Sequence, residues 1–414
     1  MDSGTFAWAV TAGALVLFMT PGLAFFYGGL VKAKSVISMM MMSFGSMALI
    51  GVLWVLYGFN MAAVGDPAQL FGNPFSTFAL SGVAESDLVL AFFGATFAII
   101  TVALVSGAIA DRAKFGSWLI FAGLFATVVY FPVAAWVWGG GWIMNLGGTF
   151  GWDEFVLDYA GGTAVHINAG AAALALALVL GKRIGFAKGA HQPHNPPFVL
   201  LGAAILWFGW FGFNGGAEAA WIYADGSYGS LTADGTFLGT IVVNTLAAPA
   251  AAVLSWLVVE KIKDGKATSI GAASGAVTGL VAITPACAVL EPGWAIVLGL
   301  VSGAISALAV ELKFKLGFDD SLDVVGIHLV GGLVGTLFLG FFAKGTGLIY
   351  SGSFNQLALQ AIAAFGVMIF SFVAAFIIGF VIEKTIGFRV KNEDEIAGID
   401  TVVHGEEGYV LDAK

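Results

Sequence analysis

Charge is what this sequence lacks most. Of its 414 residues only 10% are Asp, Glu, Lys or Arg, against about 25% in soluble globular proteins, while 59% are hydrophobic and the mean hydropathy is +0.94. That balance excludes an ordinary soluble domain and points to an integral membrane protein. Cysteine is reduced to Cys287, which excludes an intramolecular disulfide and any cysteine-ligated metal cluster. Basic residues are outnumbered 17 to 26, for a net charge of −9, and this argues against a nucleic acid partner. A basic leader is missing too. The first apolar run is full length with no positive segment before it, so it reads as a first membrane span rather than a signal peptide.

Long apolar stretches are what the chain has instead. Runs of about 20 such residues can cross a bilayer, and eleven are found: Thr5–Tyr27, Ser35–Ala62, Asp87–Ala110, Phe115–Trp138, Tyr159–Gly181, Phe198–Trp221, Gly235–Glu260, Ala267–Cys287, Pro292–Leu316, Val324–Phe342 and Gln356–Glu383. No soluble domain fits between them. The expected fold is an all-α integral membrane protein with eleven transmembrane helices within residues 1–384, followed by a tail, 385–414.

Lys and Arg accumulate in cytoplasmic loops. Lys32 and Lys34, Arg112 and Lys114, Lys182, Arg183 and Lys188, Lys261, Lys263 and Lys266, Lys313 and Lys315, then Lys384, Arg389, Lys391 and Lys414 fall in alternate loops and the tail; Lys344 is the exception. Asp66, Glu85, Asp153, Asp225, Asp234 and Glu291 occupy the opposite loops. An odd number of spans then puts the N-terminus outside and the C-terminus inside.

Glycine is plentiful, 58 residues, about twice the usual share, and often recurs every fourth position, as in GAASGAVTG from Gly271 to Gly279. Small residues at that spacing let helices approach closely in lipid. The methionine run Met39–Met42 points around a helix rather than to one side and reads as packing, not as a copper site.

Two histidines interrupt this hydrocarbon. His166 lies in LDYAGGTAVHINAG, eight residues after Asp158, and His328 in DVVGIHLVGGLVG, five after Asp323. Ionisable groups inside a bilayer are costly and mark cavities, partners or function. The two histidines fall in spans five and ten, which suggests an inverted repeat of spans 1–5 and 6–10 that would bring them to one depth on either side of an axis; FFYGG at Phe25–Gly29 and GFNGG at Gly212–Gly216 echo it. A purely structural role, each imidazole bonding a neighbouring helix, remains open. His191, His194 and His404 read as solvated. No third ligand near either span supports a metal site. Asp158 before AGG suits a helix N-cap and can also favour a nearby cation electrostatically. Aromatic residues gather in several spans, Phe93 and Phe97, Trp138, and Trp210, Phe211 and Phe213. Most membrane aromatics are packing or interface anchors, but beside an acid their ring faces can hold a small cation, worth about 0.5–2 kcal/mol per contact.

In order along the chain, MTPGLAFFYGGLV, FAIITVALVSGAIADR, VWGGG, DYAGGTAVHINAG, GWFGFN, TPAC and DDSLDVVGIH resemble the motifs of the ammonium transporter family (Amt, Mep and Rh proteins), of the bacterial or archaeal type, over nearly the whole length. The resemblance implies that Phe97 and Trp138 shape an external ammonium site supported by Asp158, that Phe97 and Phe213 stack as a gate beneath it, and that Trp210, His166 and His328 line the pore. Where many members carry a serine that bonds the recruited ion, this chain has Ala217, so that site is expected to be weaker or completed by another group. Ammonium, or methylammonium as its analogue, would lose its proton outside and cross as ammonia, the proton following by a separate histidine and water route if transport is electrogenic. The resemblance further implies a homotrimer in the cell's inner (plasma) membrane, with a cytoplasmic tail that can receive a PII-type regulator. It implies no enzyme activity and no cofactor. An ammonium sensor signalling through its tail would share every motif. A metal-ion carrier lacks ligands, and an intramembrane hydrolase lacks a nucleophile placed against either histidine.

Overall fold

The apolar runs become helices, and their length and composition explain why: backbone polar groups in lipid must be satisfied within the segment, which a helix does. A computed structural model describes residues 2–186, 192–224 and 236–409, with backbone only for 221–224. Among these residues ten helices are long and apolar enough to cross a membrane. In chain order the bundle comprises α1 (Ser3–Leu30), α2 (Ala33–Met61), α3 (Glu85–Ile109), α4 (Phe115–Val137), α5 (Gly162–Leu180), α6 (Pro196–Ala224), α7 (Leu238–Asp264), α8 (Ser269–Ile283), α9 (Pro292–Leu316), α10 (Val325–Phe342) and α11 (Asn355–Thr385).

The short member is α8. Expected over Ala267–Cys287, it stops after fifteen residues, just before Pro285, whose ring and missing N–H oppose a further α-turn. The chain then turns through residues 284–289. Its glycine spacing has the expected use: a Cβ on Gly279 would stand 2.5 Å from the Pro249 Cα of α7, so only glycine admits that approach. The antiparallel pair α1 and α6 is likewise close, with Gly29 against Val199 and Gly216 against Ala12. Met39 and Met42 are buried while Met41 is exposed, as packing around a helix requires. Leu254, Ile262, Phe365 and Ile369 face outward from the bundle, where lipid would solvate them.

One end of the bundle gathers the basic loops. Arg183 from the loop after α5 meets Asp111 at 3.0 Å and Asp319 at 2.9 Å, while Arg112 is fully buried and donates to the Asp319 carbonyl at 2.6 Å and to Ser321 at 2.5 Å. Lys263 pairs with Glu311. Burial would raise the Asp319 carboxyl, but the hydrogen bonds and charge of Arg183 outweigh it and hold it below the usual aspartate range. The basic signal in these loops is therefore also a structural clamp.

The tail docks on this end. Arg389 and Ala113 pair their backbones. Glu395 receives the Ile184 N–H at 2.6 Å and Arg389 at 2.8 Å. Asp400 accepts the N–H groups of Ile37 and Ser38 at 3.0 and 2.7 Å, capping the first turns of α2. Two histidines expected to be solvated are held here instead. His194 contacts the Val31 carbonyl at 2.8 Å and the Tyr409 hydroxyl at 2.9 Å, and His404 packs edge-on against Phe115 at 5.3 Å. The tail supplies partners that loop composition alone does not reveal. Lys188, His191, Asp225, Asp234 and Lys414 lie outside the described residues.

Candidate functional site

The two histidines meet. α5 and α10 each open with a π-turn, Gly162–Ile167 and Val325–Leu329, a widened geometry that recurs at functional positions. These turns carry His166 and His328, both 2% exposed, with Nδ1 atoms 3.2 Å apart and rings stacked at 5.2 Å. Close packing of the two helices makes this contact attainable, since a Cβ on Gly170 would collide with Leu329 at 2.5 Å.

An aspartate anchors each π-turn. Asp158 is 1% exposed and spends its carboxylate on four N–H groups, Gly161 and Gly162 at 3.1 and 2.6 Å on Oδ1, and Thr163 and Ala164 at 3.0 Å each on Oδ2. Those are the orphan donors of the α5 N-terminus. The counterpart before α10 is not Asp323, which bonds Lys313 at 2.5 Å, but Asp320, whose carboxylate accepts the Val325 N–H at 2.7 Å. Asp320 precedes His328 by the same eight residues that separate Asp158 from His166.

The aromatic residues stack above the pair. Phe97 and Phe213 lie face to face at 4.1 Å and 20°, Trp138 meets Phe97 edge-on at 6.0 Å, and Phe213 and Trp210 stack on His166 at 6.1 and 5.5 Å. Two hydrogen bonds fix the indoles, Trp138 to the Asp158 carbonyl and Trp210 to the Thr284 hydroxyl, each at 2.8 Å. On one side of the phenylalanine pair lies a cavity of about 260 Å³ walled by Trp138, Phe97, Phe93, Tyr159 and Ala217 among others. On the other, a far narrower space is walled by Phe213, Trp210, His166, His328 and aliphatic side chains such as Leu23, Ile100 and Val277.

Seven of the eight residues implied by the resemblance thus fall in one file: Ala217, Trp138 and Phe97 at the cavity, Phe213 beneath, then Trp210, His166 and His328. Asp158 stands behind the wall, bonded to backbone. Sequence reasoning missed Gln360 and Glu218. Gln360 of α11 clamps Leu157 from both sides, taking its N–H and donating to its carbonyl, both at 2.7 Å, and so braces the backbone before Asp158. A glutamine and a glutamate inside apolar spans were the available signal.

A multi-pass membrane protein whose helices enclose an aromatic cavity leading to a narrow, mostly apolar passage is built as a transporter of something small. Residues 7–409 match the Ammonium Transporter Family. An ammonium transporter of Mycobacterium tuberculosis is 48% identical over 99% of this chain and 90% of its own length. Among solved structures, Candida albicans Mep2 superimposes with a TM-score of 0.83 at 30% identity, covering 95% of this chain and 88% of that one. A protein described as a sensor Amt protein gives 0.85 at 26% identity over 96% and 97%. The chain belongs to the ammonium transporter family, and ammonium transport is its function.

Proposed function

We propose that the chain takes up ammonium by binding it in the wide cavity, stripping its proton and passing ammonia between the two histidines. The carrying observation is the contact of His166 with His328 at 3.2 Å inside a mostly apolar passage. A cation there would bear a desolvation cost of several kcal/mol, whereas ammonia bears little. Ammonium and potassium share charge and size, so a pore for the ion would separate them poorly, and a pore for the neutral base separates them completely.

In this reading Trp138 and Phe97 hold the cation by their faces, Phe97 and Phe213 gate the passage, and Trp210 lines it. Asp158 supports the site from behind. The histidines form a neutral pair, one ring donating and one accepting, and the proton follows along it separately, so transport carries charge. The chain crosses the plasma membrane eleven times as two inverted five-span repeats and α11, with the N-terminus outside. The matched Asp158 and Asp320 spacings support that repeat. Residues 385–414 are a cytoplasmic tail, positioned to report to neighbouring subunits of a homotrimer or to a PII-type protein.

Current recorded from purified protein on solid-supported membranes tests this. Pulses of ammonium and methylammonium are expected to give current and potassium none. The likeness to a sensor Amt protein favours one second reading, ammonium sensing through the tail. It would show as ligand binding without uptake.

A further inference from the structure

Next to the cavity lies an acid that the transport reading leaves unused. Glu218 follows Ala217 in α6 and is 4% exposed. Its Oε2 accepts the Tyr159 hydroxyl, and its Oε1 accepts the Phe237 N–H at 2.7 Å. Both contacts deliver hydrogen to the carboxylate, the pattern an ionised acid requires. Burying a charge in an apolar bundle is costly, and holding one beside a cavity needs a use.

Tyr159 connects that charge to the cavity. Tyr159 forms part of the wall together with Trp138, Phe97 and Ala217. A phenol that donates to a carboxylate becomes richer in electron density, and a richer ring attracts a cation more strongly. The acid also projects a negative potential into a space with apolar walls, where screening by water is weak. The hydroxyl that Ala217 lacks is thus matched, one residue on, by a charge.

We propose that Glu218 is a positioning residue for the cation: acting through Tyr159, it supplies the negative potential that lets this cavity recruit a small monovalent N–H cation without a serine at position 217. This rests on the reading of the cavity as the ammonium site.

The test is methylammonium uptake into proteoliposomes by the wild type, Glu218→Gln and Tyr159→Phe. Both substitutions keep side-chain shape, and Tyr159→Phe also keeps the Glu218 contact with Phe237. In each variant KM is expected to rise about tenfold while kcat stays within about twofold, because a field acting on the recruited cation is lost and the passage is untouched. Should Glu218→Gln fail to assemble, Tyr159→Phe decides alone. An unchanged KM, or a fall in kcat at constant KM, overturns the role of Glu218 while leaving the transport reading intact. A wild type that moves no methylammonium overturns the reading of the cavity, and this inference with it.

Discussion

The Nδ1 atoms of His166 and His328 face each other at 3.2 Å, which restricts the tautomers the pair can hold. One Nδ1 must donate and the other accept, so one ring is protonated at Nδ1 and the other, when neutral, at Nε2. Nitrogen-15 spectra of histidine-labelled protein should show that complementary pair. Two rings protonated at the same nitrogen, or two imidazolium ions, would contradict it.

Replacing Asp158 tests whether four N–H groups need its two oxygens. Asp158→Ala is expected to abolish methylammonium uptake, with Asp158→Glu keeping part of it. Asp158→Asn should lose nearly as much as Ala, since its amide group turns two donors toward donors, at about 1–3 kcal/mol for each group left unsatisfied. Normal uptake by an assembled Asp158→Ala protein would remove both proposed roles of the residue.

The cavity wall gives a pair of opposite expectations. Trp138→Leu removes a ring face worth about 0.5–2 kcal/mol and should weaken apparent ammonium affinity or selectivity over potassium. Ala217→Ser adds a hydroxyl able to contribute about 0.5–1.5 kcal/mol and should lower KM by a few fold. Uptake kinetics and potassium exclusion unaltered by both changes would mean the cation is held elsewhere.

Most of this architecture was legible because lipid imposes it. Apolar run length located the helices, and the scarcity of charge made His166, His328 and Asp158 conspicuous. Three features were not legible, each for a physical reason. The early end of α8 depends on how Pro285 and the turn after it pack. Asp320 rather than Asp323 is the counterpart of Asp158, because its carboxylate accepts a π-turn N–H while that of Asp323 is taken by Lys313. His194 and His404 looked solvated because their partners, Tyr409 and Phe115, come from distant segments. Glu218, by contrast, was legible as a glutamate inside an apolar span but was not singled out.

The clamp around Arg183 predicts a stability effect separate from transport. Arg183→Ala leaves Asp111 and Asp319 buried without their cation, an omission that costs about 3–5 kcal/mol, and thermal unfolding in detergent should show a clear drop in Tm. The sign with pH follows from the lowered Asp319 carboxyl. Its contribution is fully present above the ordinary aspartate value and is lost as pH falls through its own lower one, so the gap between wild type and variant should narrow only in strong acid. Equal Tm values at neutral pH would show that the clamp is not under load.

The most direct test of ammonia passage is paired ammonium and potassium flux in proteoliposomes for wild type, His166→Asp and His328→Asp. An acidic side chain in place of an imidazole breaks the relay and lets water and a partly hydrated cation occupy the passage. Wild type is therefore expected to carry ammonium and exclude potassium, while both variants conduct potassium and lose ammonium selectivity. Undiminished ammonium flux with potassium still excluded in both variants would contradict passage of ammonia between the histidines and leave them a structural role only.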